Sequence, residues 1–151
     1  MRTIRIIAGL AFVLTAVLSS SGSAQKAPAV QVFKEATCGC CSIWVEHLRR
    51  NGFAPTSTNV TNLAELKDKH GVPAHARSCH TALVNGLVIE GHVPAAEIHR
   101  LLKAKPAGVV GLAVAGMPIG SPGMEGPNPR PYNVLAFDRN AQTTTFSTQR
   151  P

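Results

Sequence analysis

Three of the chain's four cysteines crowd into the stretch CGCC, as Cys38, Cys40 and Cys41. Cys38 and Cys41 have C-x-x-C spacing. An amphipathic helical pattern starts at once, with Ile43, Trp44, His47 and Leu48 recurring at helical spacing, so these cysteines belong at a helix N-terminus. There the unpaired backbone N–H groups and the helix dipole favour thiolate and lower the thiol pKa below its free value of about 8.5. A C-x-x-C pair so placed is suited to a redox disulfide. Cys40 adds nothing to that chemistry, because a third thiol competes for the mixed disulfide. The fourth cysteine, Cys79, lies far along the chain in RSCHTALV.

The elements that must position these thiols follow from periodicity and turn residues. VQVFKEA, 30–36, alternates as a strand. A helix from about Cys40 to Asn51 follows, with Arg49 and Arg50 in its last turn and Gly52 as its stop. FAPTSTNV, 53–60, reads as a second strand. Thr61 or Asn62 caps a short helix, LAELKDKH, that ends at Gly71. HTALV and LVIEGH are strands joined at Asn85-Gly86, a strong hairpin signal. Pro94 opens a helix, PAAEIHRLLKAK, with Ile98, Leu101 and Leu102 inward. From about residue 106 the chain turns Gly/Pro-rich and reads as a long loop, followed by two strands in NVLAFDRNAQTTTFST around a turn at Asp138 to Asn140.

The order strand-helix-strand-helix-strand-strand-helix, with cysteines entering the first helix, predicts an α/β fold of thioredoxin-like arrangement and right-handed crossover. It carries a Gly/Pro-rich C-terminal extension with a possible extra hairpin. In that layout the segment entering the third strand packs against the first helix's N-terminus, so Cys79 and His80 arrive beside CGCC.

Four converging thiols fit three chemistries. Two structural disulfides are open to an exported protein, but adjacent cysteines rarely meet disulfide geometry. A single zinc with four thiolates prefers the wider spacing of ordinary knuckles. Thiolates also suit Cu(I), and sulfur can bridge metals, so packed cysteines can hold a multinuclear copper cluster. This third reading fits the spacing best. Met117 and Met124, in GMPIGSPGME, are soft thioether candidates for the same metal or else filler of a packed loop. His80 is a weaker metal candidate beside Cys79, and His92 a weaker one still. His70, His75 and His99 read as surface or capping residues, and Trp44 as a core anchor. A thiol–disulfide oxidoreductase using Cys38 and Cys41 is the main rival to metal binding.

MRTIR, then the 13-residue apolar run IIAGLAFVLTAVL, then SSSGSAQ, form a secretory leader of residues 1–24. The run is shorter than the ~20 residues of a membrane span. The expectation is export to the periplasm, one domain over 25–151, and no membrane span after cleavage. The net charge is +7 for the whole chain. The basic residues are scattered, Lys67 and Lys69 among them, and Trp44 and Tyr132 are the only Trp and Tyr, so nucleic acid is not an expected partner and the charge reads as solvated helix faces.

CGCC, Trp44, HLRRNGF, GVP, SCHTALV, IEGHVPA, GLAVAGMPIGSPGME and YNVLAFD occur in an order that resembles the periplasmic CopG-type copper-resistance proteins. The likeness covers about residues 30–138. It implies a thioredoxin-like copper-binding domain of the cell envelope. It also implies a multinuclear cluster on Cys38, Cys40, Cys41 and Cys79, and Cu(I)/Cu(II) interconversion during copper detoxification. Copper ions and other periplasmic copper-resistance proteins are the partners it implies, and passive copper carriage is the alternative role.

Overall fold

The computed structural model describes residues 26–151, so the leader of residues 1–24 lies outside the described residues. Strand β1, Ala29–Lys34, alternates so that Val30 and Val32 face the core. The chain then enters helix α1, Gly39–Arg50, with Cys38 as its extended N-cap. The buried stripe of α1 is Cys41, Trp44, Val45 and Leu48, an i, i+3, i+4, i+7 set. Ile43, expected inward, lies off that stripe and is half exposed. Strand β2, Ala54–Asn59, runs parallel to β1. Helix α2, Leu63–Lys69, starts with a reciprocal cap: the Asn62 side chain accepts from the Glu65 amide and donates to the Glu65 carboxylate.

A short 3-10 turn, Ala74–Ala76, leads into strand β3, His80–Val84, which forms a hairpin with strand β4, Leu87–Glu90. Asn85 and Gly86 both have positive φ, as a two-residue primed turn requires. Helix α3, Ala95–Ala104, follows Pro94 and buries Ile98 and Leu101, with Leu102 partly covered.

The Gly/Pro-rich stretch is not all loop. Val109–Ala113 forms strand β5, paired in parallel with β4. Its apolar run VVGLA supplies the strand, and Gly111 makes it fit: a Cβ there would come within 2.4 Å of the Phe137 ring and 2.3 Å of the Val88 carbonyl. Strands β6, Tyr132–Asp138, and β7, Thr143–Gln149, complete the sheet, with the Asp138 carboxylate accepting the Asn140 and Gln142 amides in the turn.

The described residues form a mixed α/β fold of three α-helices and one seven-stranded sheet, in the order β2-β1-β3-β4-β5-β6-β7. Only β1/β2 and β4/β5 pair in parallel. Trp44, Val45 and Leu48 of α1 and Ile98 and Leu101 of α3 share one core with Val30, Val32, Ile89 and Leu112. Val72, Ala76, Val88, Ala113 and Phe137 form a second. Val88 and Ile89 adjoin in one strand yet join different cores, so the sheet is covered on both faces. Among the described residues no helix is long and apolar enough to cross a membrane.

Candidate metal centre

Two registers build the site. Lys34 at the end of β1 pairs with His80 at the start of β3, so Cys79 emerges beside the loop that leads to α1. The Asn85-Gly86 turn pairs Thr81 with Glu90 and, continued past the ladder, sets His92 opposite Cys79. The Gly91 amide donates to the His80 carbonyl at 3.0 Å and carries that register on.

All four cysteine sulfurs lie within 4.8 Å of one another. Cys38 and Cys41 are joined as a disulfide, and Cys40 and Cys79 are free thiols. Cys40 Sγ is 3.5 Å from Cys38 Sγ and 3.9 Å from Cys79 Sγ, and Cys41 Sγ is 3.5 Å from Cys79 Sγ. Cys41 is fully buried, while the other three are partly exposed. Burial, with the Cys40 thiol beside it, pushes the Cys79 thiol up to about 11.

Imidazoles flank the same sulfur. His92 Nε2 stands 3.0 Å from Cys79 Sγ, and His80 Nδ1 3.4 Å. His92 Nδ1 donates to the Pro122 carbonyl at 2.8 Å, which leaves Nε2 as the unprotonated nitrogen facing the sulfur. His80 is fully buried, tilted against the Trp44 ring at 4.4 Å, and its Nε2 has no hydrogen-bond partner among the described residues. Burial lowers the pKa of both histidines, with His92 a further cause for His80, so both favour the neutral form that ligates metal. His92 thus stands closer to the thiol than His80 does, the reverse of the sequence ranking. The signal was available: counting outward from the Asn85-Gly86 turn pairs residue 79 with residue 92.

The loop 114–131 folds back over this corner. A Cβ on Gly123 would come within 2.8 Å of the Cys40 carbonyl, 3.0 Å of the Trp44 amide and 3.3 Å of His92 Nδ1. Met124 adjoins that glycine and is half-buried, while Met117 is exposed at 52%. Trp44 is the core anchor expected, its indole N–H donating to the Val93 carbonyl at 2.9 Å. His99 caps α1 through the Asn51 carbonyl, and His75 pairs with Thr143. An open groove of about 310 Å³, lined by Glu35, Cys38, Leu63, Lys67, Arg77 and Cys79, reaches the sulfurs from solvent.

Two lysines, Lys34 and Lys67, depart from the solvated reading, and Lys67 is the one with a buried partner. Lys67 is buried at 5% exposure, with its ammonium on the Glu90 carboxylate at 2.5 Å and on the Thr81 hydroxyl at 3.0 Å. It lies on the inner side of α2, where the long stem covers apolar surface and the head meets a buried acid.

A mixed α/β protein whose helix N-terminus and hairpin entrance converge four cysteine sulfurs is, as a class, a candidate thiolate metal-binding protein. Comparison narrows the class. Two solved structures match, both of copper resistance protein CopG. Form 2 has a TM-score of 0.77 at 40% identity, over 82% of this chain and 99% of that one. Form 1 has a TM-score of 0.76 at 40% identity, over 82% and 98%. A family model described as a protein of unknown function, DUF411, matches residues 76–124. No curated protein matches. The chain belongs to the CopG copper-resistance family.

Proposed function

We propose that this protein is an exported, periplasmic copper-binding protein of copper resistance. In this reading, Cys38, Cys40, Cys41 and Cys79 hold Cu(I) as a multinuclear thiolate cluster. The observation that carries it is the meeting of four sulfurs within 4.8 Å from two separate elements. Four thiolates in so small a volume, three of them from one helical turn, suit several bridged soft ions better than one tetrahedral ion. The strand order β2-β1-β3-β4, with the cysteines directly after β1, supports a thioredoxin-like core to which β5, β6 and β7 are added. Met117 and Met124 are thioether candidates on the covering loop, and His80 and His92 are imidazole candidates at Cys79.

The Cys38–Cys41 disulfide must gain two electrons, and any protons its thiolates then take up must leave again, before both sulfurs can ligate. Cys79 holds its proton at neutral pH, so copper must displace it and affinity falls as pH falls. Change between Cu(I) and Cu(II) at the cluster is the chemistry of this reading, with copper as cargo and substrate. Anaerobic Cu(I) titration of the fully reduced protein, with metal counting, tests it. More than one copper per chain and sulfur-to-copper charge-transfer absorption are expected. Saturation at one copper, displaced by zinc, overturns the cluster.

The Cys38–Cys41 disulfide favours a second reading, a thiol–disulfide oxidoreductase. Loss of Cys40 or Cys79 separates the two, since an exchanger works without either and a four-thiolate site does not.

A further inference from the structure

The three cysteines of α1 share one helical turn, but Cys79 arrives from the other side of the site on its own. What fixes it is a buried polar cluster two residues away. Glu90, at the end of β4, is fully buried and accepts three hydrogen bonds. Oε1 takes the Ser78 amide at 2.6 Å and the Lys67 ammonium at 2.5 Å, and Oε2 takes the Thr81 hydroxyl at 2.7 Å. Ser78 precedes the Cys79-His80 pair and Thr81 follows it, so one carboxylate grips the backbone or side chain on both sides of the thiol. Lys67 ties the same carboxylate to α2.

The next residue makes the grip possible. Gly91 has φ of 69°, and a Cβ there would come within 2.5 Å of Ser78 Cβ and 2.7 Å of the Val114 carbonyl. Ser78 is therefore pressed into the corner where β4 ends, and its hydroxyl donates to the Gly116 carbonyl. A buried ion pair is a poor way to gain stability, since desolvation of both charges offsets their attraction and apolar residues of like volume often serve as well. It is a good way to hold a ligand, because multidentate polar contacts fix position to a fraction of an ångström.

We propose that Glu90, paired with Lys67, is a positioning residue that sets the Cys79 thiol against the α1 cysteines. The inference rests on the reading of Cys79 as a copper ligand, and it predicts separately that sulfur–sulfur proximity depends on Glu90. Two double variants separate position from stability. Lys67→Met with Glu90→Leu keeps the volume and removes the acceptor of both the Ser78 amide and the Thr81 hydroxyl. Lys67→Met with Glu90→Gln removes the charges but keeps an acceptor for the Ser78 amide.

Each pair of changes is made in the full mature chain and in a Cys38→Ser/Cys40→Ser background, where Cys41 and Cys79 are left 3.5 Å apart. Diamide then oxidises the two thiols to a disulfide and is itself reduced to the hydrazine, taking up their two electrons and two protons. Closure is expected to slow about tenfold with the leucine variant and to stay within about threefold of the parent with the glutamine variant, in line with the 10–100-fold effects of groups that orient ligands. Cu(I) affinity in the four-cysteine chain, read by chelator competition, is expected to follow the same pattern.

Unchanged closure in a folded leucine variant overturns the proposal, and so does an equal loss in both variants, which would assign the effect to the charges. Where the leucine variant does not fold, Thr81→Val takes its place, with about threefold slowing expected and no slowing fatal. A parent chain that binds no copper defeats the copper reading while leaving the closure rates to judge Glu90.

Discussion

The two sides of the sulfur cluster are built in opposite ways. On the α1 side, Cys38, Cys40 and Cys41 take their spacing from one helical turn: the helix start has no side-chain cap, no acidic residue in its first turn, and nothing within 4 Å of where a Gly39 side chain would stand, with the loop at Gly123 packed on the far side of the turn. On the β3 side, Cys79 is placed by contacts from α2, β4 and the loop at Gly116, with a buried acid at their centre. The first side keeps its three sulfurs together through one helix of 12 residues continuous in sequence. The second needs the whole fold, so it is the side on which the site can fail.

The largest expected effect breaks the β3 side. Glu90→Leu alone strands the Lys67 ammonium in the interior, and removal of one partner of such a pair costs about 3–5 kcal/mol. Denaturant unfolding of the metal-free protein measures it, and a loss below about 1 kcal/mol would mean that Lys67 escapes to solvent.

Next comes Cys79→Ser, which exchanges a soft sulfur for a hard hydroxyl of similar size. Cu(I) affinity should fall about a hundredfold, or about 2.7 kcal/mol, while the fold persists. Full copper loading in this variant would show that the α1 side makes the site alone.

Gly39→Ala probes the α1 side and should be mild. The open space and the gain of helix propensity give about 0.5–1 kcal/mol of added stability, with copper loading unchanged. A destabilised or copper-poor Gly39→Ala protein would erase the contrast.

The smallest effect concerns the other end of α1. His47 Nε2 accepts the Ala95 amide at the start of α3, and burial, with Arg50 nearby, holds its pKa below the ordinary 6.5. The folded state then takes up its proton later than the unfolded chain does. Its contribution is whole above about pH 6.5 and is lost as pH falls through the lower folded value. Protonation also sets a cation against a helix N-terminus, an effect below about 1 kcal/mol. Unfolding at pH 7.5 and pH 5 should show a smaller drop in His47→Gln than in the parent, and equal drops would remove His47 from the account.

Much of this was legible in the sequence, for reasons that differ by element. β1, α1, α3 and the β3–β4 hairpin carry periodicity and punctuation of their own, and Asn85-Gly86 fixed a register that reaches Thr81–Glu90. Strand β5 was missed because Gly111 within it and Gly108 before it matched the composition of a loop, and its partner β4 lies about twenty residues upstream. The meeting of Cys79 with CGCC was legible once strand order was inferred. The burial of Lys67 was not, since a lysine beside Asp68 and Lys69 looks solvated until the fold brings Glu90, 23 residues away, beneath it.

Trp44 is the chain's one tryptophan, fully buried, with its ring 4.4 Å from His80 and its place in the helix three residues past Cys41. Trp44 is therefore the one indole fluorophore, shielded from solvent quenchers and set against the sulfur cluster, and excitation at wavelengths beyond the absorption of Tyr132 and the five phenylalanines singles it out. Its emission has one source and one environment, so any change in light output on adding metal or reductant reads the state of that corner of the fold without a label.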